Sequence, residues 1–187
     1  MSNKQEKEIE KRKEQKKYLF KIFFITLILS ATFNMLSSEL VENVENIAIS
    51  VIVLAFVVAV GVLFDIIGTA ITAVDEVPFN ARAAAKQKGA KESVKLIKNA
   101  PRVSNICSDV VGDICGVLSG ATAAMIASSI SKRLSLSNPT LATLLVTATV
   151  TALTVWLKGL FKQVAMKNSD FIIEKIGKIV YFFKIKK

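Results

Sequence analysis

The sequence predicts an all-α, polytopic membrane protein with about four transmembrane helices and amphipathic juxtamembrane helices. Two observations support this fold class. Of the 187 residues, 52% are hydrophobic, and they are collected in runs long enough to cross a bilayer. The 25 Lys and Arg residues give a formal net charge of +10 and cluster between and beyond these runs. Because they flank apolar spans and form no basic face with interleaved aromatics, we expect no nucleic-acid partner.

The residue types also exclude several classes of site. The chain has no histidine, which is the commonest general base and a common transition-metal ligand. No nucleophile–base set is visible without it, so we expect no enzymatic activity. Cys107 and Cys115 lie eight residues apart on one predicted membrane helix, a spacing that fits neither a CxxC motif nor a disulfide framework. We therefore interpret both as small apolar packing residues.

The chain begins with a charged segment and a first apolar span. Residues 1–17 contain seven basic and four acidic residues and are predicted to form a solvated cytoplasmic segment. We interpret residues 18–36 as an extra, uncleaved transmembrane helix, because no clear A-x-A cleavage site follows; a cleaved signal peptide is the alternative. After an acidic loop, a second span covers residues 47–74 and is interrupted by one carboxylate, Asp65, and two glycines.

A polar segment with seven Lys and Arg residues, 75–102, follows the second span. Pro78, Gly89 and Pro101 divide it, which predicts two short juxtamembrane helices within 76–100. We expect the basic side chains to remain in water and the apolar ones to face the membrane surface: Ala83, Ala84, Ala85, Val94, Leu96 and Ile97.

The third span, 104–130, is apolar enough to cross a bilayer but carries two carboxylates, Asp109 and Asp113. Their spacing of four residues places both on one helical face, one turn apart. Three glycines repeat at the same spacing, which predicts a groove where another membrane helix approaches closely: Gly112, Gly116 and Gly120.

The fourth span, 141–161, follows Pro139, a residue suited to the first turn of a helix. The basic, amphipathic tail 166–187 is predicted to lie in the membrane interface. Nearly all basic residues fall in the N-terminal segment, the 75–102 loop and the tail. The positive-inside rule therefore predicts a cell-membrane protein with both termini in the cytoplasm.

The buried carboxylates predict a cation site. At ~1.5 Å per residue, Asp65 lies about 14 Å from the cytoplasmic end of its span, and Asp109 and Asp113 lie about 9 to 15 Å from theirs. Ionisable groups at such depth usually mark an ion or substrate path. Mg²⁺ prefers oxygen ligands, and neutral donors are available nearby: Ser108, Ser119, Thr69 and Thr72. The alternative is a structural polar core, with neutral carboxyls joining helices or an Asp65–Lys158 salt bridge; Lys158 beside Trp156 also fits an interface anchor.

Several stretches resemble the transmembrane domain of the CorC/CNNM family of magnesium transporters. The stretch DIIGTAITAVD, from Asp65, resembles the end of that family's first core helix, and GAKESVKLIKNAPRVSNI resembles its juxtamembrane helices. SDVVGD is in register with a GN-xxx-N motif and places Asp109 and Asp113 on the two Asn positions. LKGLFKQVAMKNSDFI matches a GE-xx-PK-x-LA-like motif, with Lys162 on its lysine. The resemblance covers about residues 47–183 and depends on the order of elements more than on identities.

The chain departs from the family pattern at its ion site. Asp65 replaces a Ser, Gly68 and Lys158 replace acidic residues, and Phe161 replaces a Pro. The cytosolic CBS pair of the family is expected to be absent.

The resemblance implies a three-helix core at 47–165, a homodimer, and handling of Mg²⁺ or another divalent cation at a site open to the cytoplasm. The predicted ligands are Asp65, Asp109, Asp113, Ser108 and Thr69. The alternative is a non-transporting membrane adaptor or regulator, in which Lys158 neutralises the former site while the basic segments contact acidic lipids or a partner. A holin-like pore-former is a third, less favoured class.

Overall fold

The structure, a computed structural model, describes residues 16–32, 35, 47–133 and 138–185. Within these ranges the chain is helical and contains no strand. Three of the described helices are long and apolar enough to cross a membrane, which indicates a multi-pass integral membrane protein: Ile47–Ala73, Ala100–Arg133 and Pro139–Lys167. The predicted first span is helical over 16–32 and is not among these three, and its residues 33, 34 and 36 lie outside the described ranges. The predicted charged segment lies outside them up to residue 15.

We number the α-helices in chain order, with one π-helical segment between α5 and α6. They are α1 (residues 16–32), α2 (Ile47–Ala73), α3 (Glu76–Ala84), α4 (Ala90–Lys98), α5 (Ala100–Ser104), the π segment (Asn105–Val111), α6 (Gly112–Arg133), α7 (Pro139–Lys167) and α8 (Ser169–Ile185). Two short helices therefore occupy the basic loop, as its Pro and Gly positions predict.

Helix α2 lies at the centre of the described fold. Its 27 residues extend over about 40 Å, more than the ~30 Å hydrocarbon core of a bilayer. It contacts α5, the π segment, α6, α7 and α8. Two glycines on its buried face allow close approach: a Cβ at Gly61 would lie 2.7 Å from Cys115 Cβ, and one at Gly68 would lie 3.1 Å from the Ser108 nitrogen. These contacts lock α2 against the third membrane helix.

The third membrane helix is longer than predicted and contains a wider turn. It begins at Ala100, two residues after α4 ends. Pro101 lies in its first turn, where backbone N–H groups have no acceptor within the helix, so the N–H that proline lacks costs no helical hydrogen bond. In the π segment, the Gly112 N–H donates to the carbonyl of Cys107, five residues earlier. Such π turns inside α-helices are found frequently at functional sites.

The predicted glycine groove on this helix is only partly occupied. Gly112 lies near α2 and α7, but a Cβ at Gly116 or Gly120 would meet no atom within 4 Å among the described residues. The small-residue positions that bring helices together are instead Gly61 and Gly68 of α2. On the neighbouring face of the third helix, a buried cluster packs against α1 and α2; it comprises Val110, Ile114 and Leu118, with Ile22, Leu29 and Val57 against them.

A second apolar core joins the ends of α2 and α7 to the juxtamembrane helices α3 and α8. Its buried members are Ala70, Ile71, Phe79, Ala165 and Ile173. Val94, Leu96 and Ile97 of α4 also pack against this core, so the expectation that they face the membrane surface is wrong. The reason is that α4 lies directly against α8, where Ser93 Oγ donates to the Ile173 carbonyl at 3.1 Å.

A candidate polar centre between the membrane helices

Asp65 is the buried carboxylate of the membrane-spanning region. It lies on the inner face of α2, one turn from both Gly61 and Gly68, and is 5% exposed. Its Oδ2 lies 3.9 Å from Nζ of Lys162, on α7. A carboxylate removed from water needs a compensating charge, and the lysine supplies it. Because the Lys162 side chain is itself 52% exposed, the pair has one buried member and one accessible member.

Lys158 does not pair with Asp65, contrary to the salt bridge considered from the sequence. Its Nζ donates to the carbonyl oxygen of Gly112 at 3.1 Å, at the point where the π segment ends. A Cβ at Gly112 would lie 3.8 Å from Nζ, an ordinary van der Waals distance, so this hydrogen bond does not require a glycine there. Lys158 and Lys162 are one turn apart and therefore share one face of α7. From this face Lys158 reaches α6 and Lys162 reaches α2.

The predicted neutral ligands lie beside α2. Ser108 packs against Gly68, with its nitrogen 3.1 Å from the position of a Cβ there. Thr69 is half-buried, and its carbonyl accepts a hydrogen bond of 2.9 Å from Thr72 Oγ1. Ser119 is buried, and its hydroxyl donates to the Gly116 carbonyl at 2.8 Å. The Ser119 and Thr72 hydroxyls thus bond to backbone within their own helices.

Asp109 and Asp113 lie on an exposed face of the third helix, while Asp65 is buried on α2. Neither carboxylate forms an ion pair with another residue in the described ranges. Throughout those ranges, no three His, Cys, Asp or Glu residues lie close enough together to hold a metal ion. The structure thus brings Ser108 next to α2 but does not gather the three aspartates. That these residues bind a cation stays a prediction.

Sequence reasoning missed the role of Lys162. It was identified only as a match to a family lysine, whereas it is the partner of Asp65. Its spacing of four residues from Lys158 was the available signal, because an i, i+4 pair shares a face. Two lysines on one face near the end of an apolar span suggest that a nearby carboxylate is neutralised.

Comparison of the chain with protein-family models, with curated proteins and with solved structures found no match. The resemblance to the CorC/CNNM family stays an expectation from the sequence.

Proposed function

We propose that this protein is a non-transporting membrane adaptor or regulator whose polar centre holds its helices together. The observation that carries the proposal is the arrangement of the two α7 lysines. Lys162 faces the only buried aspartate of the described residues, and Lys158 bonds to the Gly112 carbonyl. A divalent cation at Asp65 competes with an ammonium already held there, and like charges repel strongly where the dielectric constant is low.

In this function the polar centre fixes the bundle, and the basic juxtamembrane surface makes the contacts with acidic lipids or a partner. The segment from Asp75 to Arg102 carries seven basic residues. Each Lys or Arg near an anionic membrane surface contributes ~1 kcal/mol of attraction. The adaptor therefore needs a stable bundle and an accessible basic surface, and no ion path.

The test is thermal unfolding of the detergent-purified protein during a Mg²⁺ titration, beside Ca²⁺ and an ionic-strength control. We expect no Mg²⁺-selective shift of the unfolding midpoint. We expect Lys162→Met to destabilise the protein by roughly 1–3 kcal/mol, because it leaves Asp65 buried without its partner. Asp65→Asn combined with Lys162→Met should recover part of this loss, since the two changes are coupled.

Lys167→Met is the matched control, because Lys167 is an exposed lysine near the end of the same helix. It should leave stability within about 0.5 kcal/mol of the original chain. Equal losses in the two Met variants, or no recovery in the double variant, contradict a structural Asp65–Lys162 pair.

The second candidate function is divalent-cation handling, as the family resemblance implies. The observation in its favour is that Asp109 and Asp113 lie one turn apart without an ionic partner among the described residues. A cation that binds only the folded protein, at 100 times its Kd, adds about 2.7 kcal/mol of stability. A Mg²⁺-selective shift that disappears when both are replaced by Asn supports this candidate and overturns the adaptor proposal.

A further inference from the structure

A polar pocket of about 260 Å³ lies outside the membrane-spanning helices, where α3, the α3–α4 turn and α8 meet. Arg82, Lys88, Lys178, Glu174, Gln87 and Phe79 contribute to its lining. Sites for drug-sized ligands typically occupy ~300–1,000 Å³, so this pocket suits a smaller group such as a phosphate with part of a headgroup.

The pocket has an excess of positive charge. Glu174 is its carboxylate, and both oxygens are engaged: Oε2 lies 2.8 Å from Arg82 Nη1, and Oε1 accepts from Lys178 Nζ. Lys88 forms no ion pair with another described residue and is exposed. Three cations and one carboxylate leave a formal excess of two positive charges. The hydrogen bond from Lys178, with the nearby charges of Lys178, Arg82 and Lys175, lowers the pKa of Glu174, so that this carboxylate is ionised at neutral pH.

Close backbone packing holds the pocket in shape. Gly89 has a φ of 83°, a conformation that glycine adopts without strain, and turns the chain into α4. A Cβ at Gly89 would lie 2.7 Å from the Lys178 nitrogen, so the turn lies directly on α8. Phe79 is fully buried in the apolar core beneath. Arg82 of α3 and Lys178 of α8 therefore project from closely packed helices.

The pocket also lies close to the ends of the membrane helices. Helix α3 starts three residues after α2 ends, and α8 starts two residues after α7 ends. One face of α8 exposes Phe171, Ile179 and Phe182 beside Lys175, whose Nζ lies 5.3 Å from the Phe171 ring centroid. Exposed aromatic residues interspersed with lysines are typical of a helix in the membrane interface.

We propose that this pocket binds the phosphate of an anionic phospholipid headgroup. Arg82 offers a planar set of donors that matches phosphate oxygens, and the ammonium groups of Lys88 and Lys178 add two point charges. This inference rests on the proposed function in one respect, because both require a basic surface that contacts acidic lipids. It adds the chemical class of the ligand and the pocket that binds it. It is independent of the Asp65–Lys162 pair, so the two proposals fail in different experiments.

The test uses the full chain in a neutral detergent with short-chain phosphatidic acid added at increasing mole fraction. Phosphatidylcholine with the same acyl chains is the parallel lipid, and inorganic phosphate is a third arm. We expect phosphatidic acid to raise the unfolding midpoint in a saturable manner, and neither phosphatidylcholine nor inorganic phosphate at equal concentration to do so. Lys88→Gln should weaken the apparent affinity about fivefold, the effect of removing one cation near an anionic surface.

Lys88 is the informative position, because its side chain is exposed and forms no ion pair with another described residue. Lys91→Gln is the matched control: an exposed lysine three residues away that does not line the pocket. Equal weakening in both variants overturns the pocket assignment, because it indicates a diffuse charge effect. A midpoint shift by inorganic phosphate that phosphatidic acid does not exceed overturns the lipid as the source. No response to phosphatidic acid overturns the proposal entirely.

Discussion

At the scale of single residues, the contacts of glycine decide how closely the membrane helices pack. The chain has glycines in two different situations on its apolar spans. Gly61 faces Cys115 across the α2–α6 contact, whereas Gly120 faces open space among the described residues. Helix association in lipid depends on packing, because lipid tails are as apolar as side chains. A methyl group added at these two positions therefore has opposite consequences.

We expect Gly61→Ala to destabilise the protein by roughly 1–3 kcal/mol, the usual cost of overpacking. The added Cβ would lie 2.7 Å from Cys115 Cβ, so the two helices must move apart. Gly120→Ala should be neutral or should stabilise by up to about 1 kcal/mol, since Ala is the better helix former. Denaturant unfolding of both variants in the same detergent measures the difference. A loss in Gly120→Ala as large as that in Gly61→Ala contradicts the α2–α6 packing described above.

At the scale of an element, α8 is held in place by its core residue Ile173 and by the ion pair of Glu174 with Arg82. Glu174 connects α8 to Arg82 of α3 across 92 positions of sequence. Its side chain is 37% exposed, and exposed ion pairs contribute only ~0–1 kcal/mol. The apolar core therefore contributes most of the stability of α8 packing, and the ion pair contributes a smaller part.

This arrangement predicts a pH dependence with a definite sign. The pKa of Glu174 is lower in the folded protein than its ordinary value of 4.5, chiefly because of the Lys178 hydrogen bond. A lowered folded pKa adds stability that is complete above the unfolded pKa and is lost as the pH falls through the folded value. We expect Glu174→Gln to lose stability at pH 7 and to approach the original chain below pH 4.5. Parallel stability profiles of the two chains between pH 3 and pH 7, measured by thermal unfolding, would falsify this assignment.

At the scale of the whole molecule, the distribution of basic residues predicts the orientation in the membrane. The basic loop contains α3 and α4 and follows the end of α2, whereas α6 ends at Arg133 and α7 begins at Pro139, at the opposite ends of the spanning helices. Seven Lys and Arg residues between Asp75 and Arg102 favour retention of that loop in the cytoplasm. The same rule predicts that both chain termini are cytoplasmic, which requires that α1 also crosses the membrane.

Single cysteines at two exposed positions test this orientation. We expect Thr140→Cys, near the start of α7, to react with a membrane-impermeant maleimide on intact cells. Gln87→Cys, in the basic loop, should react only after permeabilisation. The original chain is the background control, because Cys107 and Cys115 are both buried. Labelling of Gln87→Cys on intact cells contradicts the orientation.

The sequence alone predicted the helical class and the spans that α2, the third helix and α7 form, because apolar length and flanking charge are local properties. It also predicted the start at Pro139 and the division of the basic loop. It did not predict the orientation of Asp109 and Asp113 relative to Asp65. The direction in which a side chain points depends on how its helix is rotated about its own axis relative to the neighbouring helices. Depth along each helix was estimated from residue counts, but rotation about each axis is set by contacts such as Gly68 against Ser108.

The ion pairs could not be predicted from the sequence for the same reason. Asp65 and Lys162 are distant in sequence, as are Arg82 and Glu174, and no local pattern connects them. Val94, Leu96 and Ile97 pack against the core of the protein itself, which an amphipathic pattern alone does not predict. Such a pattern predicts that one face of a helix is apolar, but it does not distinguish a lipid surface from the core of the same molecule.

The π segment has a consequence for the phase of the third helix. Where N–H groups reach back five residues instead of four, the helix carries an extra residue within one turn, and an α-helix advances about 100° per residue. The half before the segment and the half after it are therefore offset in azimuth. Within the segment Ser108 lies against Gly68 of α2, and at its end the Gly112 carbonyl accepts a hydrogen bond from Lys158 of α7. After the segment, Cys115 again lies against Gly61 of α2. The extra residue thus changes the azimuth of the third helix at the level where it contacts both of its neighbours.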